Sequence, residues 1–296
     1  MKDYAFTDAQ KQKFEDDGFL VIEDFFTSSQ CDEMQKECFR IVDEMNPLDH
    51  REVFSTDDHE QMKSEYLLNS SDKIGFFWEK EAINNDGSLL KPKHESINKI
   101  GHALHALSPT FKTATFDPRV KEILRKLRFV RPVVPQSMYI FKPPGIGGEV
   151  CRHIDASFLY SEPLKLIGFW VALQDATEEN GCMWFARGSH KNTEVTMRMV
   201  RNPVDGALPH TLFEGEMEHL PFDKYEITPV KRGSLVLIHG KVHHYSKKNT
   251  SQSSRHIYTY HVTESSQSAW SKRNWLQPSQ ALPFPPVYDD SCLNSA

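Results

Sequence analysis

The sequence has no long apolar run. No window approaches the ~18 consecutive apolar residues of a membrane-spanning helix, so no transmembrane segment is expected. The opening MKDYAFTDAQ has no apolar core of the secretory kind, which argues against a signal peptide. Positive charge is not in excess: 35 Lys and Arg stand against 41 Asp and Glu, a net charge of −6. That excludes the basic stripe a general nucleic-acid binder presents. Cysteine is scarce. Cys31, Cys38, Cys151, Cys182 and Cys292 are an odd, scattered five with no CxxC pair. They predict free thiols in a reducing, cytoplasmic setting, not a disulfide framework. The end, SCLNSA, is neither an SKL-type peroxisomal signal nor a prenylation box. No internal repeat or low-complexity tract is visible.

What is present is an ordinary globular composition. The 296 residues are 39% hydrophobic and 26% charged, with 19 Phe, 9 Tyr and 5 Trp to fill a core. Barrels and sandwiches run to ~250 residues as one unit. A single domain over 1–296 is therefore expected, with a helix-rich part (about 1–130), a β-rich core (about 131–264) and an extended C-terminal tail.

Thr7 with Gln10 makes a capping-box pattern before a short polar helix that Gly18 ends. Phe19–Ile22 reads as a strand. A second helix starts near Ser28 or Ser29, and Cys31, Met34, Cys38, Ile41, Val42 and Met45 keep helical spacing. Residues 46–95 look polar and irregular, with a turn or mobile loop at 83–87. A helical segment is predicted over about 97–127, on Ile100, Leu104, Leu107, Val120, Ile123, Leu124 and Leu127. Pro109 and Pro118 break it. From residue 132 the pattern changes to short strands at 133–142, 165–174, 182–186, 226–231, 234–239, 243–246 and 256–263. Their even spacing suggests a sandwich or barrel, with a jelly roll leading. The tail after 264, with Trp270, Trp275 and its prolines, is expected to cross the surface in extended form.

His153-Ile154-Asp155 is the first pointed motif among 14 histidines. Residues i and i+2 of an extended segment face the same way. An imidazole and a carboxylate then make two thirds of the facial triad of non-haem Fe(II) oxygenases. Alone, an HxD is unspecific. The run Gly233-Ser234-Leu235-Val236-Leu237-Ile238-His239-Gly240-Lys241-Val242-His243-His244-Tyr245-Ser246 offers three candidates for a third ligand. Alternation groups Val242, His244 and Ser246 on one face. The apolar Val242 marks that face as the inner one, so His244 is preferred; His239 and His243 read as loop-tip or surface histidines. Arg255 opens the next alternating strand, with ten residues between it and His244. If 243–246 and 255–263 are antiparallel neighbours, Arg255 sits near the pocket, where a guanidinium can bind a carboxylate through two parallel hydrogen bonds.

The ordered set His153, Asp155, His244, Arg255 resembles the Fe(II)/2-oxoglutarate oxygenases. More narrowly, the chain resembles the phytanoyl-CoA dioxygenase family. Phe14-x-x-x-Gly18-Phe19-Leu20-Val21-Ile22-x-x-Phe25 is similar to that family's N-terminal signature, as are Asp175-Ala176-Thr177-x-x-Asn180-Gly181-Cys182-Met183-Trp184-Phe185 and Gly188-Ser189-His190. Segments 97–105, 136–142, 155–160 and 274–278 extend the likeness over nearly the whole chain. One departure is Arg152, where a smaller or aromatic residue is expected before the HxD; it bears on the rim of the site, not on the ligands.

The resemblance implies a mainly β fold with flanking helices around a double-stranded β-helix, a jelly-roll, cupin-like core. It implies Fe(II) at His153, Asp155 and His244, which it makes the catalytic residues. It implies 2-oxoglutarate at Arg255 and Ser246, with Lys99, Met138 and Trp170 as further cosubstrate positions. The expected enzyme is a dioxygenase that uses O2, releases succinate and carbon dioxide, and is supported by ascorbate. Related halogenases lack the carboxylate, so Asp155 implies hydroxylation. The expected substrate is a small organic molecule, with no nucleic-acid or membrane partner and a monomeric chain. The missing peroxisomal signal argues against phytanoyl-CoA itself. Lys121, Arg125, Lys126 and Arg128 could await a CoA phosphate but read better as a solvated helix face. Gly145, Gly147 and Gly148 mark either a lid or a plain turn. Two alternatives stand beside the oxygenase: a zinc or manganese hydrolase on a cupin-like barrel, and a silent binding protein that keeps the fold.

Overall fold

A computed structural model describes residues 5–50, 52–56, 60–84 and 88–288. Cys292 and part of the 83–87 turn lie outside them. Sixteen strands occur among the described residues. In chain order the first six are β1 (Phe19–Ile22), β2 (Val53–Phe54), β3 (Ile74–Glu79), β4 (Ile97–His102), β5 (Pro132–Ile140) and β6 (Val150–His153). Then come β7 (Ser161–Glu162), β8 (Leu166–Ala172), β9 (Met183–Phe185), β10 (Arg198–Arg201) and β11 (Thr211–Glu214). The last five are β12 (Glu226–Thr228), β13 (Leu235–His239), β14 (His244–Ser246), β15 (Ile257–Glu264) and β16 (Ala269–Trp270).

Two sheets make the core. The larger has eight strands in the order β1-β13-β8-β15-β5-β4-β3-β2; the smaller has four, β12-β9-β14-β6. The architecture is the expected double-stranded β-helix, sheet-rich with flanking helices. One face of the large sheet (Leu20, Tyr139, Phe169, Leu235, Leu237, Tyr258, Tyr260) packs against the helices. The other (Trp170, Val236, Ile238, Ile257) meets Met183, Phe185 and Val242 from the direction of the small sheet. Alternation along each strand forces this split.

The helices form as their caps and spacing require. Asp8–Asp17 has Thr7 and Gln10 in a reciprocal capping box and ends at Gly18 in the left-handed conformation. Ser28–Glu44 has a second box, Thr27 with Gln30, and buries Cys31, Met34, Cys38, Ile41 and Val42. Each such fully buried aliphatic side chain contributes about 1.5–3 kcal/mol.

Two expectations need correction. Residues 97–102 are a strand, not a helix, and helix begins only at Leu104–Leu107, followed by Pro109–Thr115 and Pro118–Lys126. The 97, 100, 104 spacing imitates a helix because β4 is covered on both faces, which erases the period-2 signal. Leu107, counted into that apolar face, is exposed. Within the supposedly irregular 46–95, β3 carries Phe76, Phe77 and Trp78 into the core and pairs with β4. Both prolines open new helices, where a missing N–H costs nothing. The tail is less superficial than expected: Trp275, Leu276 and Val287 are buried, and Val287 N–H donates to Pro132 O at 2.8 Å.

The signature segments have a structural logic. A side chain on Gly18 would meet His190 Nδ1 at 2.4 Å, so the first and last signature segments depend on each other. Asn180 closes its own turn, accepting from Thr177 N–H at 2.8 Å and donating to Asp175 O at 2.9 Å. Arg152 turns outward: it donates to Leu220 O at 2.8 Å and lies over the Phe222 ring, clear of the metal-ligand candidates.

Candidate metal centre

Registry in the small sheet sets the first two side chains. His244 on β14 pairs directly with His153 on β6, and their rings stand 4.2 Å apart. Ile154 continues extended, then a short 3-10 turn opens at Asp155. The carboxylate swings under both imidazoles: Asp155 Oδ1 is 3.7 Å from His153 Nε2 and 3.6 Å from His244 Nε2. One ligand atom from each of the three lies within 4.8 Å of the others, and no other such group of three occurs among the described residues.

Each histidine is oriented the same way. His153 Nδ1–H donates to Cys151 O at 2.8 Å, and His244 Nδ1–H donates to Val242 O at 3.0 Å. Both carbonyls lie two residues upstream. This fixes the tautomer and leaves both Nε2 lone pairs facing the carboxylate, as metal-ligating histidines are held. Burial pushes the His244 imidazole down to about 4, helped by His153 and opposed by Asp155, so it is neutral at pH 7. Burial works against the charge of Asp155, but the imidazoles packed around it, those of His261, His244 and His153, outweigh it. They hold the carboxyl well below its usual range. Two imidazoles that turn Nε2 toward one point, with one carboxylate between them, fit a divalent metal such as iron.

Lys99, Met138 and Trp170 come together through the large sheet. Gly101, Met138, Thr259 and Trp170 form one cross-strand row; Lys99, Ile140, Ile257 and Ala172 form the next on the same face. Lys99 is buried, with Nζ 3.2 Å from the Phe54 ring centroid, and burial brings its pKa down to about 7. Arg255 is 1% exposed. It donates to Gly181 O at 2.6 Å and Ser246 Oγ at 3.3 Å, and its guanidinium carbon is 5.3 Å from the Trp170 ring centroid. No carboxylate pairs with it among the described residues, and its Nε is unsatisfied. Burial lowers it to about 10, which leaves it charged at pH 7.

Arg255 reaches the site by a different route from the expected one. β14 and β15 are not ladder neighbours: they belong to opposite sheets, and the guanidinium crosses the sandwich to Ser246. The surface expectation for His239 and His243 also fails. His243 is buried, with its N–H on Ser189 Oγ at 3.0 Å; His239 is half-buried against His190 and Phe14. Neither joins the metal-ligand group. The glycine loop is tied down: Gly148 O accepts from Lys142 Nζ at 2.7 Å, and Gly148 N–H donates to Glu79 at 3.2 Å.

Three contributors went unread in the sequence. His261 touches Asp155, Lys142 lies buried beside Arg255, and Phe158 stacks edge-on to His153 at 5.8 Å and reaches Phe213 at 6.0 Å. Parity alone exposes the first: 255, 257, 259 and 261 share one face of β15.

A family model described as phytanoyl-CoA dioxygenase matches residues 14–257. The chain is 49% identical over 288 residues to phytanoyl-CoA dioxygenase domain-containing protein 1 of Danio rerio, covering 95% of this chain and 98% of that protein. The Bos taurus protein of the same name is 50% identical over 286 residues, with the same coverage of 95% and 98%. The Caenorhabditis elegans homolog is 44% identical over 284 residues, covering 95% and 99%. Among solved structures, apo EctD from S. alaskensis aligns with a TM-score of 0.62 at 17% identity, over 95% of this chain and 85% of that one. The 2-oxoglutarate-dependent carbocyclase SnoK from nogalamycin biosynthesis aligns at 0.61 and 16% identity, over 94% and 96%. At such identities the structural likeness establishes the fold alone. The family model spans His153, Asp155, His244 and Arg255, the whole-length relatives carry the same family name, and the chain belongs to the phytanoyl-CoA dioxygenase family.

Proposed function

We propose that the protein is an Fe(II)- and 2-oxoglutarate-dependent dioxygenase that hydroxylates a small organic substrate. The carrying observation is the pairing of two features: the His153, Asp155, His244 group, and a buried Arg255 that has no acidic partner among the described residues. A hydrolase needs the first and has no use for the second.

His153, Asp155 and His244 would hold the iron. Arg255 and Ser246 would take the distal carboxylate of 2-oxoglutarate. His244 and Ser246 are two residues apart on β14, about 6.6 Å along a strand. A five-carbon dicarboxylate, with four C–C bonds of ~1.5 Å and its terminal oxygens beyond them, is of comparable length, so its 2-oxo acid end would lie toward His153, Asp155 and His244. Lys99, Met138 and Trp170 would line the same pocket. Iron, when bound, supplies the oxygen chemistry: 2-oxoglutarate, O2 and a C–H substrate give succinate, carbon dioxide and the alcohol. The protein's part is to bind, orient and keep water out. Phe158 beside His153, with Phe213 against Phe158, favours an uncharged or aromatic face on the substrate, though a family name does not choose the molecule. A monomer acting on a free small molecule fits this reading.

Release of labelled carbon dioxide from 2-oxoglutarate, with iron and ascorbate, tests it. Slow release without added substrate, lost in His244→Ala, is expected. Release equal to the protein-free control under every metal condition would refute it. A metabolite screen for stimulated succinate release then finds the substrate.

A further inference from the structure

His261 lies on β15 and is buried. Its Nε2 is 3.2 Å from Asp155 Oδ2, the carboxylate oxygen turned away from His153 and His244. Oδ2 is buried and no aligned hydrogen bond reaches it, from His261 included; at 3.2 Å this imidazole is a group placed to donate to it after a small turn of the ring or the carboxylate. On its other side, His261 Nδ1 lies 3.3 Å from Gln136 Nε2, its cross-strand partner on β5. With the amide N–H given to Nδ1, the imidazole proton belongs on Nε2, facing the carboxylate. The neighbour of His261 on β8 is Gly168. A Cβ there would sit 3.2 Å from Asp155 Oδ2 and 3.5 Å from His261 Cδ2. Gly168 thus leaves the space in which the two side chains meet. Gln136, His261 and Gly168 are one row of the large sheet, two residues along from the Met138–Trp170 row.

We propose that His261, oriented by Gln136, is the positioning residue for Asp155: it engages Oδ2 and so presents Oδ1 alone to the metal. This rests on the reading of His153, Asp155 and His244 as the metal ligands. A carboxylate free to rotate can chelate through both oxygens and occupy a position that 2-oxoglutarate or O2 needs. Partners of this outer kind typically govern 10–100-fold in metal affinity.

The test is calorimetric titration of Mn(II) into the metal-free full-length protein without 2-oxoglutarate, so that turnover plays no part. His261→Phe keeps the bulk and removes the donor; Mn(II) affinity is expected to fall about 10–100-fold. His261→Gln returns an N–H near the same place and is expected to recover most of the loss, which a purely structural role for the ring would not allow. Co(II) absorption gives a second readout: the visible bands should weaken in His261→Phe as Oδ2, released, joins the metal and raises its coordination number. If His261→Phe does not fold, Gly168→Ala decides, because its added methyl displaces the same oxygen, and it should weaken Mn(II) binding in the same direction. Wild-type Mn(II) affinity in the folded His261→Phe or Gly168→Ala protein overturns the proposal, as does a His261→Gln variant no better than His261→Phe. A wild-type protein that binds no Mn(II) overturns the metal centre itself, and this inference with it.

Discussion

Replacing Arg255 by Lys is the sharpest perturbation the site allows. The wild-type guanidinium is almost fully buried and charged; Nη1 is engaged at Gly181 O and Ser246 Oγ, and Nε has no partner among the described residues. Its remaining donors have no acid to meet among the described residues. A buried cation left in that state costs free energy in the free protein, and an incoming carboxylate offsets it. Lys keeps the charge but offers one ammonium in place of a planar fork. Losing one charge-assisted hydrogen bond removes about 1.5–3 kcal/mol. With ~1.4 kcal/mol per decade, the 2-oxoglutarate dissociation constant should rise about tenfold to a hundredfold. Mn(II) affinity in the absence of 2-oxoglutarate should stay within the measurement error, because Arg255 is outside the metal-ligand group. Calorimetry under anaerobic conditions measures both, and a thermal melt checks that the variant folds. A folded Arg255→Lys protein with unchanged 2-oxoglutarate affinity would refute the reasoning, and would move the carboxylate anchor to Lys99 or Lys142.

Three further outcomes are expected. His244→Ala should abolish measurable Mn(II) binding while His243→Ala retains it, because only His244 shares a face with Val242 and pairs with His153; the reverse result in calorimetry would overturn the register. Acid should destabilise the protein early. Burial lowers His105 to about 3 and His239, His243, His244 and His256 to about 4, so between pH 6.5 and 4 the unfolded chain binds more protons than the folded one and stability falls with pH. Each pKa unit of such a shift corresponds to ~1.4 kcal/mol, so even heavily discounted these five groups remove a sizeable part of a typical 5–15 kcal/mol of stability; chemical denaturation followed by circular dichroism should show a clear loss from pH 6.5 to pH 4, and equal stability at both would refute it. Lys99→Met should raise the melting temperature of the free protein at pH 7 and weaken 2-oxoglutarate binding. Burial brings Lys99 down to about 7 against 10.5 unfolded, so its folded-state penalty is fully present below pH 7 and fades above it; a melt that drops instead would show that the ammonium stabilises the fold.

Seven of the twelve strands from β5 onward and the first two helices were legible because their signals are local; β6, β7, β10, β11 and β16, each of two to four residues, were not. Capping boxes at Thr7 and Thr27, and short runs between turn residues, need no distant partner to be read. β3 and β4 were not legible for the opposite reason. Both lie inside the large sheet with almost every residue buried, so period-2 patterning, which depends on one wet face, is absent. What remains in β4 is Ile97, Ile100 and Leu104, whose spacing fits a helix as well as a strand. The supposed helix-rich N-terminal part accordingly supplies β1, β2, β3 and β4 to the sheet beside its helices.

The site divides along the same line. His153 and Asp155 are two apart in the chain, and His244 was separable from His243 by alternation against Val242, so the metal-ligand candidates could be placed without a topology. Arg255 could be matched by resemblance but not by geometry. The inference that β14 and β15 are neighbours was reasonable for strands so close in sequence, yet in a double-stranded β-helix consecutive strands can pass to opposite sheets. Their side chains then meet head-on across the interior, not side by side along a ladder. That difference has a chemical consequence. Side-by-side strands would have set Arg255 parallel to His244, with its fork competing for the metal carboxylate. Across the sandwich it arrives at Ser246, one alternation step along β14 from His244. The same crossing delivers His261 from the large sheet to the back of Asp155, one alternation step beyond Thr259. Opposed sheets therefore let one extended segment reach two points of the small sheet: Arg255, just before β15, lies against Ser246, and His261, six residues later, lies against Asp155, both set by parity.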